Sequence, residues 1–352
     1  MVVVDALRAD HISAYGYGRS TTPSLDAWIS DHGVRFADAV SASSWTYPSN
    51  ASMLTSRTPS EIEVEWADPN SAIPQGEMML AERLHDAGYY TAGFVSAKYA
   101  GSEFGFNQGF DVFEERIGSS GNHTDAEEIN DIAMAWISGT WTSELSNAQP
   151  LFLYLYYFEP HTWYSPPEPY DTLYDGTYSG TLTADVYKDG IIAASGFITP
   201  TARDIEHLIA LYDGEIAYWD FHLGEMFSYL EEVHLLDNSI VVVTSDHGQM
   251  FGEHRKWTHR NSLYEEVLRV PLLIRYSGTI SPATVVSTPV STLDITPSVL
   301  DWAGLSVPEG VDGISLGRLL RGETSADERP VFSEMDVDAL SNPEWFAPAS
   351  PL

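Results

Sequence analysis

The 352-residue chain contains no cysteine. It therefore has no disulfide, no thiolate metal ligand and no cysteine nucleophile. Bases are scarce: 17 Lys and Arg stand against 51 Asp and Glu, a net charge of −34, and Lys98, Lys188 and Lys256 are the only lysines. So acidic a surface repels nucleic acid and anionic membranes at low salt, so no nucleic-acid partner is expected. The acids are spread along the chain and not gathered into a tail, the pattern of a solvated surface adapted to high salt, which points to a halophilic source. A cation-binding surface or a basic partner is the competing reading. No apolar run approaches the ~20 residues that span a bilayer. No basic segment precedes a hydrophobic one, as it would in a secretory signal. These absences point to a cytoplasmic protein with no integral membrane segment, or to an extracellular one if the N-terminus is shortened.

Hydrophobic residues make up 43% of the chain, enough to bury a large core. Strand-like and helix-like stretches alternate, which predicts an α/β fold with a largely parallel sheet covered on both faces. The runs Met1–Val4, Leu151–Tyr157 and Ser239–Val243 read as buried strands, joined by others near Tyr90–Val95 and Arg269–Ile274. Thr22-Pro23-Ser24 reads as a helix start, and further helices are predicted over about 77–87 and from Asp294 to Trp302. Ile205, Leu208, Tyr212, Ile216, Trp219, Leu223, Phe227 and Leu230 keep the spacing of a long amphipathic helix. Residues 162–203 read as a loop excursion.

The chemistry concentrates at strand ends. Asp246-His247-Gly248 follows the apolar run that ends at Val243, and Asp5 follows Val4. Ligands of open α/β sheets collect at that edge, so Asp5, Asp246 and His247 form a candidate site for a shared cation. In Ser44-Trp45-Thr46-Tyr47-Pro48-Ser49-Asn50 a loop enters a helix, and Thr46 is expected just before the helix N-terminus. Backbone N–H groups there stabilise an anion, which makes its hydroxyl a candidate nucleophile toward a sulfate or phosphate ester. The plain alternative is an ordinary N-cap.

Val4-Asp5-Ala6-Leu7-Arg8-Ala9-Asp10-His11, Tyr15-Gly16-Tyr17 and Thr22-Pro23-Ser24-Leu25-Asp26 resemble the opening of the sulfatase family, part of the alkaline-phosphatase superfamily. Phe104-Gly105-Phe106-Asn107-Gln108-Gly109-Phe110-Asp111, Glu159-Pro160-His161, Ser245-Asp246-His247-Gly248, Arg269-Val270-Pro271-Leu272 and Asp294-Ile295-Thr296-Pro297 follow in family order. The resemblance implies a three-layer α/β/α sandwich over residues 1–335, with 336–352 as a tail. It implies one divalent metal ion (Mn, Mg, Zn or Ca) on Asp5, Thr46, Asp246 and His247. Catalytic roles fall by position to Thr46 as nucleophile and to His161 and His259 near the leaving group. Lys98, Asn50 and Arg260 are implied substrate-binding positions. The substrate expected is a small-molecule, glycan-linked or lipid-linked anionic ester. No oligomeric state is implied.

The departures from the family carry information. Sulfatases convert the Cys or Ser of a Cys/Ser-x-Pro-x-Arg motif to formylglycine; here position 46 is Thr and position 50 is Asn, and threonine cannot yield that aldehyde. Ala6 stands where many sulfatases carry another metal-binding Asp. The set of Asp5, Thr46, Asp246 and His247 resembles the lipoteichoic acid synthases and phosphoethanolamine transferases, which act on phosphodiesters or transfer phospho-groups. The expectation is a sulfatase-family hydrolase of sulfate or phosphate esters, with direct threonine chemistry favouring phosphoryl transfer. The alternative is a decayed sulfatase-like scaffold that binds metal or anionic glycans.

Overall fold

Val2–Val4 is apolar at every position, so this strand can sit only where both of its faces are covered. In the computed structural model, which describes residues 1–64, 72–117, 125–145, 149–180, 200–321 and 330–335, it lies inside a nine-stranded sheet. In chain order the strands are β1 (Val2–Val4), β2 (Val34–Val40), β3 (Tyr90–Val95), β4 (Val112–Glu115), β5 (Leu151–Tyr157), β6 (Ile240–Ser245), the short hairpin β7 (Met250–Phe251) and β8 (Trp257–Thr258), then β9 (Arg269–Tyr276), β10 (Thr284–Val286) and β11 (Val290–Ser291). The sheet runs β10-β2-β9-β6-β1-β5-β3-β4, with β11 also paired to β2. All its pairings are parallel except those of β9, which is antiparallel to both β2 and β6.

The helices are α1 (Pro23–Trp28), α2 (Thr46–Thr55), α3 (Leu80–Asp86), α4 (Ala126–Trp136), α5 (Ala202–Glu232), α6 (Glu265–Leu268), α7 (Ile295–Trp302) and α8 (Leu316–Leu320). Strand side chains alternate between two cores. Val3, Val242, Tyr154 and Tyr156 pack with Ala51 and Leu54 of α2, Leu84 of α3 and Val299 of α7. Val2, Val4, Val243 and Tyr157 pack with Leu25 of α1, Ile129 of α4 and Leu208, Tyr212, Ile216, Trp219 and Phe227 of α5. The architecture is the α/β/α sandwich that the sequence implied.

Two boundaries differ from the sequence reading. α3 starts at Leu80 and not near 77, because the Glu82 carboxylate accepts the Met79 N–H at 2.8 Å and fixes the first turn there. Beyond its end the chain turns through Gly88 at φ +92°, a conformation other residues avoid. Residues 162–180 hold neither helix nor strand, as expected of the excursion; 181–199 and the tail 336–352 lie outside the described residues. α5 opens at Ala202, inside the predicted loop, because the Thr201 hydroxyl accepts the Asp204 N–H at 3.2 Å. The sequence reading did not find β2, β4 or α4. In β2, Arg35 and Asp38 interrupt the apolar residues, and a register shift between Phe36 and Ala39 breaks the period of two.

Candidate active site

β1 and β6 run parallel with Val4 opposite Ser245. The next residue on each strand, Asp5 and Asp246, therefore leaves the sheet side by side at its C-terminal edge. The chain then folds back tightly: Gly248 N donates to Val267 O at 2.6 Å and Gln249 N to Glu266 O at 2.9 Å. A Cβ at position 248 would run into the Glu266 carbonyl oxygen, so only glycine fits this turn. Asp5, Asp246 and His247 are buried, and one ligand atom from each lies within 4.8 Å of the other two.

The donor chemistry of this trio fits a divalent metal ion. His247 Nδ1 lies 2.9 Å from Gly248 O. A carbonyl can only accept, so Nδ1 donates and the neutral ring keeps a lone pair on Nε2. That Nε2 lies 3.2 Å from Asp5 Oδ1 and 3.8 Å from Asp246 Oδ1. Asp5 Oδ1 is buried with no hydrogen-bond partner, a costly state for an acid oxygen unless a cation answers it. Burial, helped by the Asp5 charge and opposed by His247, pushes the Asp246 carboxyl up to about 6. Burial works against a charged His247, but the Asp246 and Asp5 carboxylates outweigh it and raise that pKa.

Thr46 is the first residue of α2 and not the one before it, as the sequence suggested. Trp45, extended at φ −164°, is the N-cap and makes no side-chain capping bond. The Thr46 hydroxyl is thus not the helix cap, and it lies 3.3 Å from His247 Nε2. Two further imidazoles complete the group. The His259 ring is 4.3 Å from that of His247, and the His161 ring is 4.9 Å from that of His259. His259 Nδ1 meets Gln249 Oε1 at 2.8 Å, and His161 Nδ1 donates to Thr162 O at 2.8 Å. Burial lowers His161 to about 4, and burial together with His247 and His161 holds His259 well below the usual range. Both rings are therefore neutral near pH 7, with Nε2 bare. Arg260 N donates to Ser44 O at 2.9 Å, and its guanidinium lies 4.6 Å over the Trp45 ring and 5.1 Å over that of Tyr99.

The family model described as Sulfatase matches residues 1–305. The chain belongs to the sulfatase family. Arylsulfatase K of Xenopus laevis is 31% identical over 228 residues, 58% of this chain and 41% of that protein, so the chain spans well under half of that relative's length. An arylsulfatase of Clostridium perfringens is 25% identical over 401 residues, covering 97% of this chain and 82% of the relative. Among solved structures, the phosphonate monoester hydrolase of Silicibacter pomeroyi superposes with a TM-score of 0.75 at 23% identity, over 96% of this chain and 79% of that one, and so shares its fold.

Within this sulfatase fold the remaining sequence candidates separate. Asn50 turns inward and donates to Asp246 Oδ2 at 2.9 Å. The Lys98 ammonium pairs with Glu103 at 3.2 Å, and the residue of that turn that meets Arg260 is Tyr99. Ala6, where many sulfatases carry an acid, has φ +59° and brings its N–H to 3.3 Å from Asp246 Oδ1. His11 pairs with Asp213 at 2.7 Å, in keeping with a structural role, and the His254 ring stacks on Tyr264 at 3.8 Å. Three participants escaped the sequence reading. Tyr156 donates to Asp246 Oδ2 at 2.8 Å, Gln249 backs His259, and Arg8 donates to Gln249 O at 2.9 Å. Tyr156 lies in an unbroken apolar run, where no pattern marks a hydroxyl with a task. Gln249 lies just past the Ser245-Asp246-His247-Gly248 motif, where nothing in the spacing singles it out.

Proposed function

We propose that this sulfatase-family protein is a metal-dependent ester hydrolase in which Thr46 is the direct nucleophile, turning over phosphodiesters or phosphonate esters faster than sulfate esters. The observation that carries the reading is the Thr46 hydroxyl, not engaged as a helix cap and 3.3 Å from Nε2 of the buried Asp5–Asp246–His247 group. A divalent ion held by Asp5, Asp246, His247 and the Thr46 hydroxyl would lower the hydroxyl pKa and neutralise ester oxygens. Imidazole beside carboxylate suits Mn²⁺ or Zn²⁺ better than Ca²⁺. Thr46 Oγ1 attacks phosphorus or sulfur in line, and the bond to the leaving alcohol breaks. A neutral His259 or His161 takes the Thr46 proton on Nε2 and returns it to that alcohol. Water then cleaves the threonine ester and restores the hydroxyl. Arg260, held against Trp45 and Tyr99, supplies a fixed positive charge for the anionic group.

The 31% identity to an arylsulfatase favours sulfate esters as the second reading. One panel decides between them: aryl sulfate, phosphate monoester, phosphodiester and phosphonate substrates, each assayed at high salt with several divalent metals. Thr46→Ala is expected to abolish turnover while the fold stays intact, and Thr46→Ser to retain part of it. Full turnover by Thr46→Ala would end the direct-threonine mechanism. Aryl sulfates proving by far the best substrates of the native protein would end the phosphoryl preference.

A further inference from the structure

We infer that Asn50 and Tyr156 are positioning residues that close one oxygen of Asp246, so that Asp246 offers a metal ion a single oxygen. The inference rests on the metal-site reading above. Asp246 Oδ2 accepts two side-chain hydrogen bonds, from Asn50 Nδ2 at 2.9 Å and from Tyr156 OH at 2.8 Å. A carboxylate oxygen has two lone-pair directions, so Oδ2 is fully used. Oδ1 is the oxygen 3.8 Å from His247 Nε2; its one close donor is the His247 N–H at 2.8 Å, whereas the Ala6 N–H at 3.3 Å lies past the usual hydrogen-bond range, so Oδ1 keeps a lone-pair direction for a cation.

The two donors come from different layers, α2 and β5, and both are buried. Both are neutral, so they orient the carboxylate without competing with a cation for its charge. An arginine at position 50, as in the Cys/Ser-x-Pro-x-Arg motif, would bring that competition. The second amide hydrogen of Asn50 goes to Thr46 O at 2.8 Å. One planar amide therefore sets the spacing between the turn that bears the nucleophile and the carboxylate. Asn50 Oδ1, meanwhile, is buried with no partner. A bare buried acceptor is costly, and a residue serving only to fill α2 would avoid it. The placement is explained by what the amide holds.

Ca²⁺ favours many oxygens and carboxylates that chelate through both, whereas smaller ions accept one oxygen from each. Closing Oδ2 should therefore tilt the site toward Mn²⁺ and away from Ca²⁺. The test is calorimetric titration of metal-stripped protein at molar salt with MnCl₂ and, separately, CaCl₂. Tyr156→Phe and Asn50→Ala should each weaken Mn²⁺ binding about 10-fold, as loss of a ligand's hydrogen-bond partner commonly does. They should also narrow the Mn²⁺/Ca²⁺ preference, because Oδ2 becomes free to chelate. Tyr157→Phe is the control: its hydroxyl donates to Asn130 Oδ1 at 2.6 Å, away from the site. It removes a comparable buried bond and should leave the preference unchanged. Wild-type Mn²⁺ affinity and preference in both Tyr156→Phe and Asn50→Ala would overturn the positioning role alone. A wild-type protein that takes up neither ion would overturn the metal reading, and this inference with it.

Discussion

Glu159 stands two residues before His161 and shows how burial of one side chain becomes a pH dependence. Its Oε1 accepts the Ala126 N–H at 3.0 Å at the start of α4, while Oε2 is buried without a partner. Burial, with a smaller contribution from the Asp125 charge, pushes the carboxyl up to about 8 from an ordinary value of 4.5. Folding thus favours the protonated acid. The stabilisation is full below pH 4.5 and is lost as pH rises toward 8, on the order of 3 kcal/mol by neutrality. Glu159→Gln, which cannot ionise, should melt above the wild type near neutral pH and close to it near pH 4.5. Melting curves of the two proteins that stay parallel across this range would remove Glu159 from the account. At this scale the sequence was legible where chemistry and position coincide. Asp5, Asp246 and His247 were marked by their seats after apolar runs. Asn50 was placed on the substrate side, because spacing alone cannot tell whether an amide points outward to a ligand or inward to a neighbouring carboxylate.

At the scale of elements, Arg8 ties the loop after β1 to the hairpin after β6. It grips Asp10 through Nε and Nη2 at 2.9 and 2.7 Å, and its Nη1 reaches Gln249 O at 2.9 Å and Glu253 at 2.7 Å. Gln249 in turn holds His259. Lysine in place of Arg8 keeps the charge but lacks the planar fork, so Arg8→Lys should let the hairpin and His259 drift. A drift of about 1 Å commonly costs 10²-fold in rate, and a kcat fall of about 10-fold or more is expected, with the metal affinity retained. An unchanged kcat would show that the hairpin holds its place without Arg8. Long or uniformly apolar elements were readable: β1, β5, β6 and α5 carry periods that run for a whole element. The β7–β8 hairpin, two residues on each side, is too short to show any period, yet it helps to place His259. Its pairs, Met250 with Thr258 and Phe251 with Trp257, are anchored from afar by Arg8, a contact that leaves no local trace in sequence.

Over the whole molecule the dominant quantity is the net charge of −34. Self-repulsion of that size is screened only when the Debye length shrinks to a few ångströms, near molar salt. The melting temperature should climb steeply between roughly 0.1 and 2 M KCl, and a flat profile would remove the adaptation to salt. The placement of β1 carries a consequence for how the chain is made. Its neighbours are β5 and β6, with Val2 paired to Leu155 on one side and Val243 on the other. A ribosome delivers β1 about 150 residues before β5 and about 240 before β6, so the strand that bears Asp5 stays open on one side until β6 emerges. Closing loops of that length is slow, and an unpaired apolar strand invites wrong partners meanwhile. Nascent chains arrested before β6 should expose their N-terminal segment to protease, and chains released after it should not. Asp5 and Asp246 come together only at that late step, so the chemical centre cannot assemble until a strand far down the chain has been made.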